Sequence, residues 1–421
     1  MVYSELSLLK EFTSCQKNST LQMKKSLLPL AIGGFGIGMT EFVIMGILPD
    51  VASSLQISIP VAGHLISSYA LGVVLGAPLL VGIAGNYPPK KILLGLMALF
   101  TFCNALSSFA PNYEIMMITR LLSGLPHGAF FGVGAVVASR LAGKGKEAQA
   151  ISMMFAGLTV ANIIGVPLGT YIGHTMSWRI TFIIIAAVGL ATMFCIQKLL
   201  PVMPVVGESS LRKDLKLFTR VEPWLILGIT AIGTGGLFAW FSYIAPLLTE
   251  VAHFGSSQIT WILILAGLGM ATGNLISGRT ADLISPSKAT ALFLLLMTCS
   301  LIGVYFVAQY QIPLLIMTFI TGAIAFSLGA PIQILMIRAA NGSEMLASSV
   351  SQAGFNMGNA LGAYLGGLPI AAGLGYASPE WVGAALAFAG FGLAMVVYFR
   401  QKEKGVDETE EVTHYELVAG H

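Results

Sequence analysis

Apolar runs of about twenty residues recur from one end of this chain to the other, separated by short polar or glycine- and proline-containing breaks. A bilayer core is spanned by about 20 mostly apolar residues in a helix, and a backbone inside hydrocarbon must satisfy its own polar groups. The runs are continuous rather than alternating, which excludes outer-membrane strands. On this ruler the sequence predicts an all-α polytopic membrane protein with twelve transmembrane helices. Composition agrees, with 56% hydrophobic and only 10% charged residues among 421, against about 25% charged in soluble domains. A net charge of +3 without a basic patch argues against a nucleic-acid partner. The 48 glycines sit inside apolar runs, where small residues let helices approach closely. Four cysteines in no CxxC or His/Cys cluster offer neither a metal site nor a disulfide framework. Residues 1–22 are polar, unlike a cleavable signal peptide, and Met23 opens a stretch that would itself serve as a start.

The basic residues test the span count independently through the excess of Lys and Arg on cytoplasmic loops. With the N-terminus placed in the cytoplasm, 20 of the 22 Lys and Arg fall on one side. Both termini are therefore expected inside. The exceptions are Arg120 and Arg179.

The spans divide into two sixes. The reading is a cytoplasmic segment over 1–25, a first six-helix bundle over 26–200, a central loop over 201–223, a second bundle over 224–399 and a cytoplasmic tail over 400–421. Asn162, Gly165 and Gly169 recur 197 residues later as Asn359, Gly362 and Gly366. Gly82, followed by Lys90 and Lys91, has its counterpart in Gly278, followed by Asp282 and Lys288. Two pseudo-symmetric bundles in the same orientation imply a parallel repeat with a site near the midplane between them.

Seven segments carry a family likeness: GFGIGMTEFVIMGILPDVA (34–52), AGHLISSYALGVVLGAPLL (62–80), RLLSGLPHGAFFGVGA (120–135), GLTVANIIGVPLGTYIG (157–173), SWR (177–179), FAWFSY (238–243) and FNMGNALGAYLGG (355–367). From Met23 to about Arg400 the chain resembles the major facilitator superfamily. Within it, the chain is most similar to the bacterial twelve-helix drug:proton antiporters of the arabinose-efflux permease type. The resemblance implies alternating access in the bacterial inner membrane, a small-molecule substrate, protons as coupling ions, no cofactor and a monomeric protein.

Glu41 is the one acid inside a predicted span, and an ionised carboxylate there costs roughly 2.5–3.5 kcal/mol even on lenient scales. Arg120 is the one base deep in a span, at a similar depth, so the two are expected to face each other across a central cavity. In the resembled antiporters the acid of helix one and the Arg of helix four take part in proton movement; a structural ion pair is the plainer alternative. Arg179 reads as an interfacial anchor. Gly165, Pro167 and Gly169 look like the antiporter signature of helix five, small residues and a kink where halves rock. His64, Tyr69, His127 and Asn162 in the first half, with Trp240, Tyr243, Asn274, Gln333, Gln352, Asn356 and Asn359 in the second, outline an uncharged cavity suited to a neutral or amphipathic molecule. For each singly, helix–helix hydrogen bonding is an equal alternative.

The loop after helix two departs from the family's Gly-x-Leu-Ala-Asp-Arg-x-Gly-Arg-Arg pattern. Asn86 stands for the Asp, Tyr87 for the Arg and Pro89 for the Gly, while the second copy keeps Asp282. Gating through the first copy then rests on Gly82, Lys90 and Lys91 without an acid. The fifth-helix signature favours export over import or facilitated passage. An embedded enzyme would need a convergent acid/base or metal constellation that one Glu does not supply, and no GxxxxGK[ST] loop supports direct use of ATP. A sensor or scaffold would show a sizeable soluble domain. Fluorescent protein fused after His421 is expected to fluoresce and alkaline phosphatase there to stay inactive; an active phosphatase fusion reverses the orientation.

Overall fold

The computed structural model describes residues 25–84, 87–142, 147–205, 219–340 and 344–403. Asn86 and the acidic tail from Asp407 lie outside them. The described residues form helices and no strand. Named in chain order, the passes are α1 Lys25–Gly46, α2 Ile59–Ala84, α3 Pro89–Ser108, α4 Tyr113–Leu141, α5 over 147–177 and α6 Trp178–Leu199. The second set is α7 over 221–251, α8 Ser256–Ile284, α9 Pro286–Val307, α10 Gln311–Ala339, α11 Glu344–Ala371 and α12 Pro379–Glu403. Both described chain ends fall on the same side, here called inner.

Among the described residues ten runs are long and apolar enough to cross a membrane, and the difference from twelve has two causes. Ala150–Leu199 is a single apolar run of 50 residues that folds as two passes. Ser177, in extended backbone, breaks it, and its hydroxyl accepts the N–H of Arg179 at 3.3 Å to start α6. The other is α11, 28 residues long but diluted by Ser348, Ser349, Ser351, Gln352, Asn356 and Asn359. Its polarity hides it from a hydropathy ruler.

Several ends follow from local chemistry. α1 stops at Gly46, and a short helix, Leu48–Leu55, continues past a bend at Ile47 with Pro49 in its first turn. Asn112 caps α4 by accepting the N–H of Ile115 at 3.0 Å. In α5 the turn Ala161–Gly165 widens to π geometry just before Pro167, whose missing N–H breaks the regular ladder.

Glycines fix the packing inside each half. A Cβ on Gly72 or Gly76 of α2 would overlap the carbonyl oxygens of Leu121 and Leu125 of α4. Moved on by 197, Gly269 and Gly273 of α8 meet the carbonyls of Phe319 and Ala323 of α10 in the same way. Gly157 of α5 lies on the Ala31 carbonyl of α1, and Gly362 of α11 on the Gly235 carbonyl of α7. For α2 on α4 and α8 on α10 the repeat is thus one of backbone-to-backbone contacts as well as of sequence. Between halves, α2 lies along α11, with Ser67 Oγ donating to the Ala360 carbonyl at 3.1 Å, and Gly267 of α8 lies on the Asn162 carbonyl of α5. α8 touches α5 chiefly over 161–172.

Gly273→Val drives a side chain into the Ala323 carbonyl and is expected to cost more than about 3 kcal/mol, seen as lost monodisperse yield and a lower melting temperature. Gly95→Ala, with nothing within 4 Å of the added carbon, is expected to melt with the wild type.

Candidate functional site

Glu41 and Arg120 lie on α1 and α4, both buried, at 4% and 0% exposure. They do not form an ion pair. Arg120 turns instead to backbone: Nη1 donates to the Thr40 carbonyl at 2.9 Å and to Thr40 Oγ1 at 3.2 Å, and Nε donates to the Leu65 carbonyl at 3.5 Å. Its guanidinium lies 4.4 Å from the ring centre of Tyr69, and Nη2 has no hydrogen-bond partner. Thr40 Oγ1 in turn donates to Asn104 Oδ1 at 2.5 Å, and Asn104 Nδ2 to the Phe100 carbonyl at 2.8 Å. The arginine therefore grips the turn of α1 that carries Glu41 rather than the carboxylate itself. Carbonyls and an aromatic face make an adequate partner set for a buried guanidinium.

Glu41 reaches the other way. Its Oε1 accepts from Asn359 Nδ2 of α11 at 3.4 Å, a bond between the two halves. His174 Nδ1 and Asp50 Oδ2 approach each other to 2.6 Å elsewhere, near the outer end. Glu41 is accordingly a buried carboxyl held by a neutral amide.

Of the other residues expected to line a cavity, Tyr69 and His127 share a hydrogen bond of 3.0 Å and extend the Arg120 cluster along α2 and α4. His64 bonds Tyr113 at 3.2 Å and lies 5.7 Å from the Tyr364 ring, nearer the outer end. Tyr243 is turned into packing, its hydroxyl donating to the Ala363 carbonyl at 2.6 Å. Asn162 and Asn356 spend their NH₂ groups on Leu158 and Gln352 carbonyls in their own helices, at 3.1 and 3.2 Å. The side-chain oxygens of Asn162, Asn356 and Asn359 and the Trp240 indole N–H are buried without partners. Gln333 and Gln352 are half-buried, and Asn274 is exposed.

The expected gating residues divide. Gly165 and Gly169 pack α5 on Met39, Phe35 and Val43 of α1, inside the first half, with Pro167 between them. Lys90 ties α3 to α6, its Nζ donating to the Gln197 and Leu200 carbonyls at 2.8 and 2.6 Å. That bond, too, is within one half. Lys91 is exposed. Gly82, Gly278 and Asp282 stand near the inner ends of α2 and α8, and their side-chain surroundings lie outside the described residues.

Three features go beyond the sequence reading. Thr40 and Asn104 belong to the polar centre; a lone Asn inside the apolar third span was the available signal for Asn104. Glu41 is not the single buried acid: Glu380, with its helix starting at Pro379 rather than at Trp381, is 2% exposed in the first turn of α12. Phe42 of α1 packs on Phe238 and Phe241 of α7 and Phe326 of α10, at 6.3, 6.0 and 6.4 Å between ring centres. Apolar residues in an apolar run gave no signal.

The family model described as Major Facilitator Superfamily matches residues 30–257 and 225–417. AraJ of Escherichia coli (strain K12) is 41% identical over 387 residues, covering 92% of this chain and 98% of that protein. The inner membrane transport protein YdhP of the same strain is 40% identical over 384 residues, covering 91% and 97%. A chloramphenicol resistance protein of Streptomyces lividans is 28% identical over 361 residues, covering 85% and 92%.

Arg120→Lys keeps the charge but cannot hold the Thr40 and Leu65 carbonyls while lying over Tyr69. It is expected to destabilise by about 1–3 kcal/mol, read as a fall in melting temperature in detergent; an unchanged melting curve would show that the Thr40 grip contributes nothing.

Proposed function

The chain belongs to the Major Facilitator Superfamily and is a multi-pass membrane transporter rather than an enzyme; from that premise we propose that it exports a small molecule in exchange for protons. The carrying observation is Glu41, a carboxyl buried in a span, without a cationic partner, whose one hydrogen bond crosses to Asn359 in the other half. Protonation removes the cost of the buried charge and alters the acceptor that Asn359 holds, so proton occupancy and contact between halves are coupled at one atom. Arg120 fixes the Glu41 turn through Thr40 and adds a positive field beside it.

The proposed substrate is neutral or amphipathic, a sugar, drug or metabolite. The unpartnered polar atoms of Asn162, Asn356, Asn359 and Trp240 are uncharged and able to pair with hydroxyl or amide groups. The name of the Streptomyces relative points to drug export in that protein. The proposed setting is the bacterial inner membrane, with both termini in the cytoplasm, the proton gradient as energy source, no cofactor and a monomer as the working unit.

Everted vesicles or proteoliposomes with an imposed pH gradient test the reading. Substrate accumulation against its own gradient when the lumen is acidified is expected for the wild type. Glu41→Gln, of equal size, is expected to fold, to retain exchange between labelled and unlabelled substrate, and to lose pH-driven accumulation by tenfold or more, roughly 1.4 kcal/mol or greater in driving force. Retained pH-driven transport in Glu41→Gln would overturn the assignment, and accumulation driven in the opposite sense would make the protein an importer.

A further inference from the structure

Aromatic rings of the two halves meet at the depth of Glu41, Phe241 and Tyr243 of α7 lie between that level and the outer end, and α11 serves as a ruler through them. Ile370 and Ala371 at its outer end line an outward-facing crevice of roughly 600 Å³ shared with Pro49, Ser53 and Pro60 of the first half. One turn deeper, Gly367 lies against Pro60 and the Tyr243 hydroxyl, and the same hydroxyl crowds Gly63 of α2. Another turn deeper, the Ala363 carbonyl takes that hydroxyl. Asn359, holding Glu41, is one turn below. From crevice to carboxyl the path along α11 is about 16 Å at 1.5 Å per residue.

Phe42, adjacent to Glu41 in the chain, spans the boundary at this depth. It belongs to the first half, yet the rings it meets, Phe238, Phe241 and Phe326, all belong to the second. Phe42, Phe238 and Phe241 are buried, while Phe326 is half-buried. Phe238 also stands 197 residues after Glu41, the repeat offset, so the second half presents a ring at the acid's symmetry-related position. Phenyl rings have no group to carry a proton, and rings packed against one another leave little room for a water chain.

We propose that Phe42, Phe238 and Phe241, capped by Tyr243, form the barrier that isolates Glu41 from the outer solution while the outer side is closed, and that this barrier prevents substrate-independent proton leak. The inference rests on the proton reading of Glu41. An exchanger gains nothing from its gradient if its carboxyl meets both solutions in one conformation; the layer enforces one side at a time. Contacts between rings on opposite halves also break as a set when the outer side opens, which suits a reversible closure.

The test uses the full chain in liposomes enclosing a pH-sensitive dye, with proton influx driven by a potassium diffusion potential and no substrate present. Phe42→Ala and, independently from the other half, Phe238→Ala are expected to raise proton influx several-fold over wild type, while Phe42→Leu stays tight. Adding Glu41→Gln to either alanine variant is expected to return the influx to the wild-type level. Alanine variants that are monodisperse and as proton-tight as wild type would overturn the barrier. A leak that persists in the Glu41→Gln double variant would uphold the barrier and overturn the proton reading of Glu41, so the two failures are distinguishable.

Discussion

Water is missing from about 30 Å of this molecule's surroundings, and each arrangement described above answers that lack. Helices satisfy their own backbones, and hydrophobic burial gives no reason for one helix to prefer another over lipid. Cohesion must come from close approach and from polar groups meeting inside. Gly72, Gly76, Gly269 and Gly273 provide the first, bringing α2 onto α4 and α8 onto α10 until only a hydrogen atom fits beneath the carbonyls. Arg120 provides the second, gathering Thr40, Leu65 and Tyr69 around a charge that has no solvent to retreat to.

The same lack gives Glu41 its character. In water a carboxyl bonded to one amide would be unremarkable chemistry. In the centre of a bundle, with no cation touching it, it is a group whose protonation state the surrounding structure must accommodate. Arg120 near by, committed to backbone acceptors, keeps the cluster from collapsing into a neutralised pair.

The class of fold was legible because span length is a direct consequence of bilayer thickness. The repeat was legible because the same residue types return at a constant offset, Asn162, Gly165 and Gly169 reappearing as Asn359, Gly362 and Gly366. Helix boundaries at Pro379 and Ser177 were less so, since they depend on capping at the membrane edge, where apolar runs give no mark. The candidate site divided similarly. A Glu in an apolar run announces itself, whereas its partner does not. The pairing of Arg120 with Thr40 instead of Glu41 depends on rotation of α1 and α4 about their axes, which a span count leaves open. Lys90 belonged to a gating pattern by position, yet its reach to α6 is a matter of side-chain length and the open carbonyls at a helix end.

Most of the close backbone-to-backbone contacts described lie within a half, but Gly267 of α8 rests on the Asn162 carbonyl of α5, so the seam has one such contact beside the side-chain contacts of Phe42, Ser67 and Glu41. Such a molecule is closely joined within each half and, along the seam, closely joined at that one point. Lateral pressure in the surrounding lipid bears on the side-chain-filled parts of that seam, so acyl-chain packing becomes a load on the conformational balance, in the way that a spring's preload sets where a hinge rests.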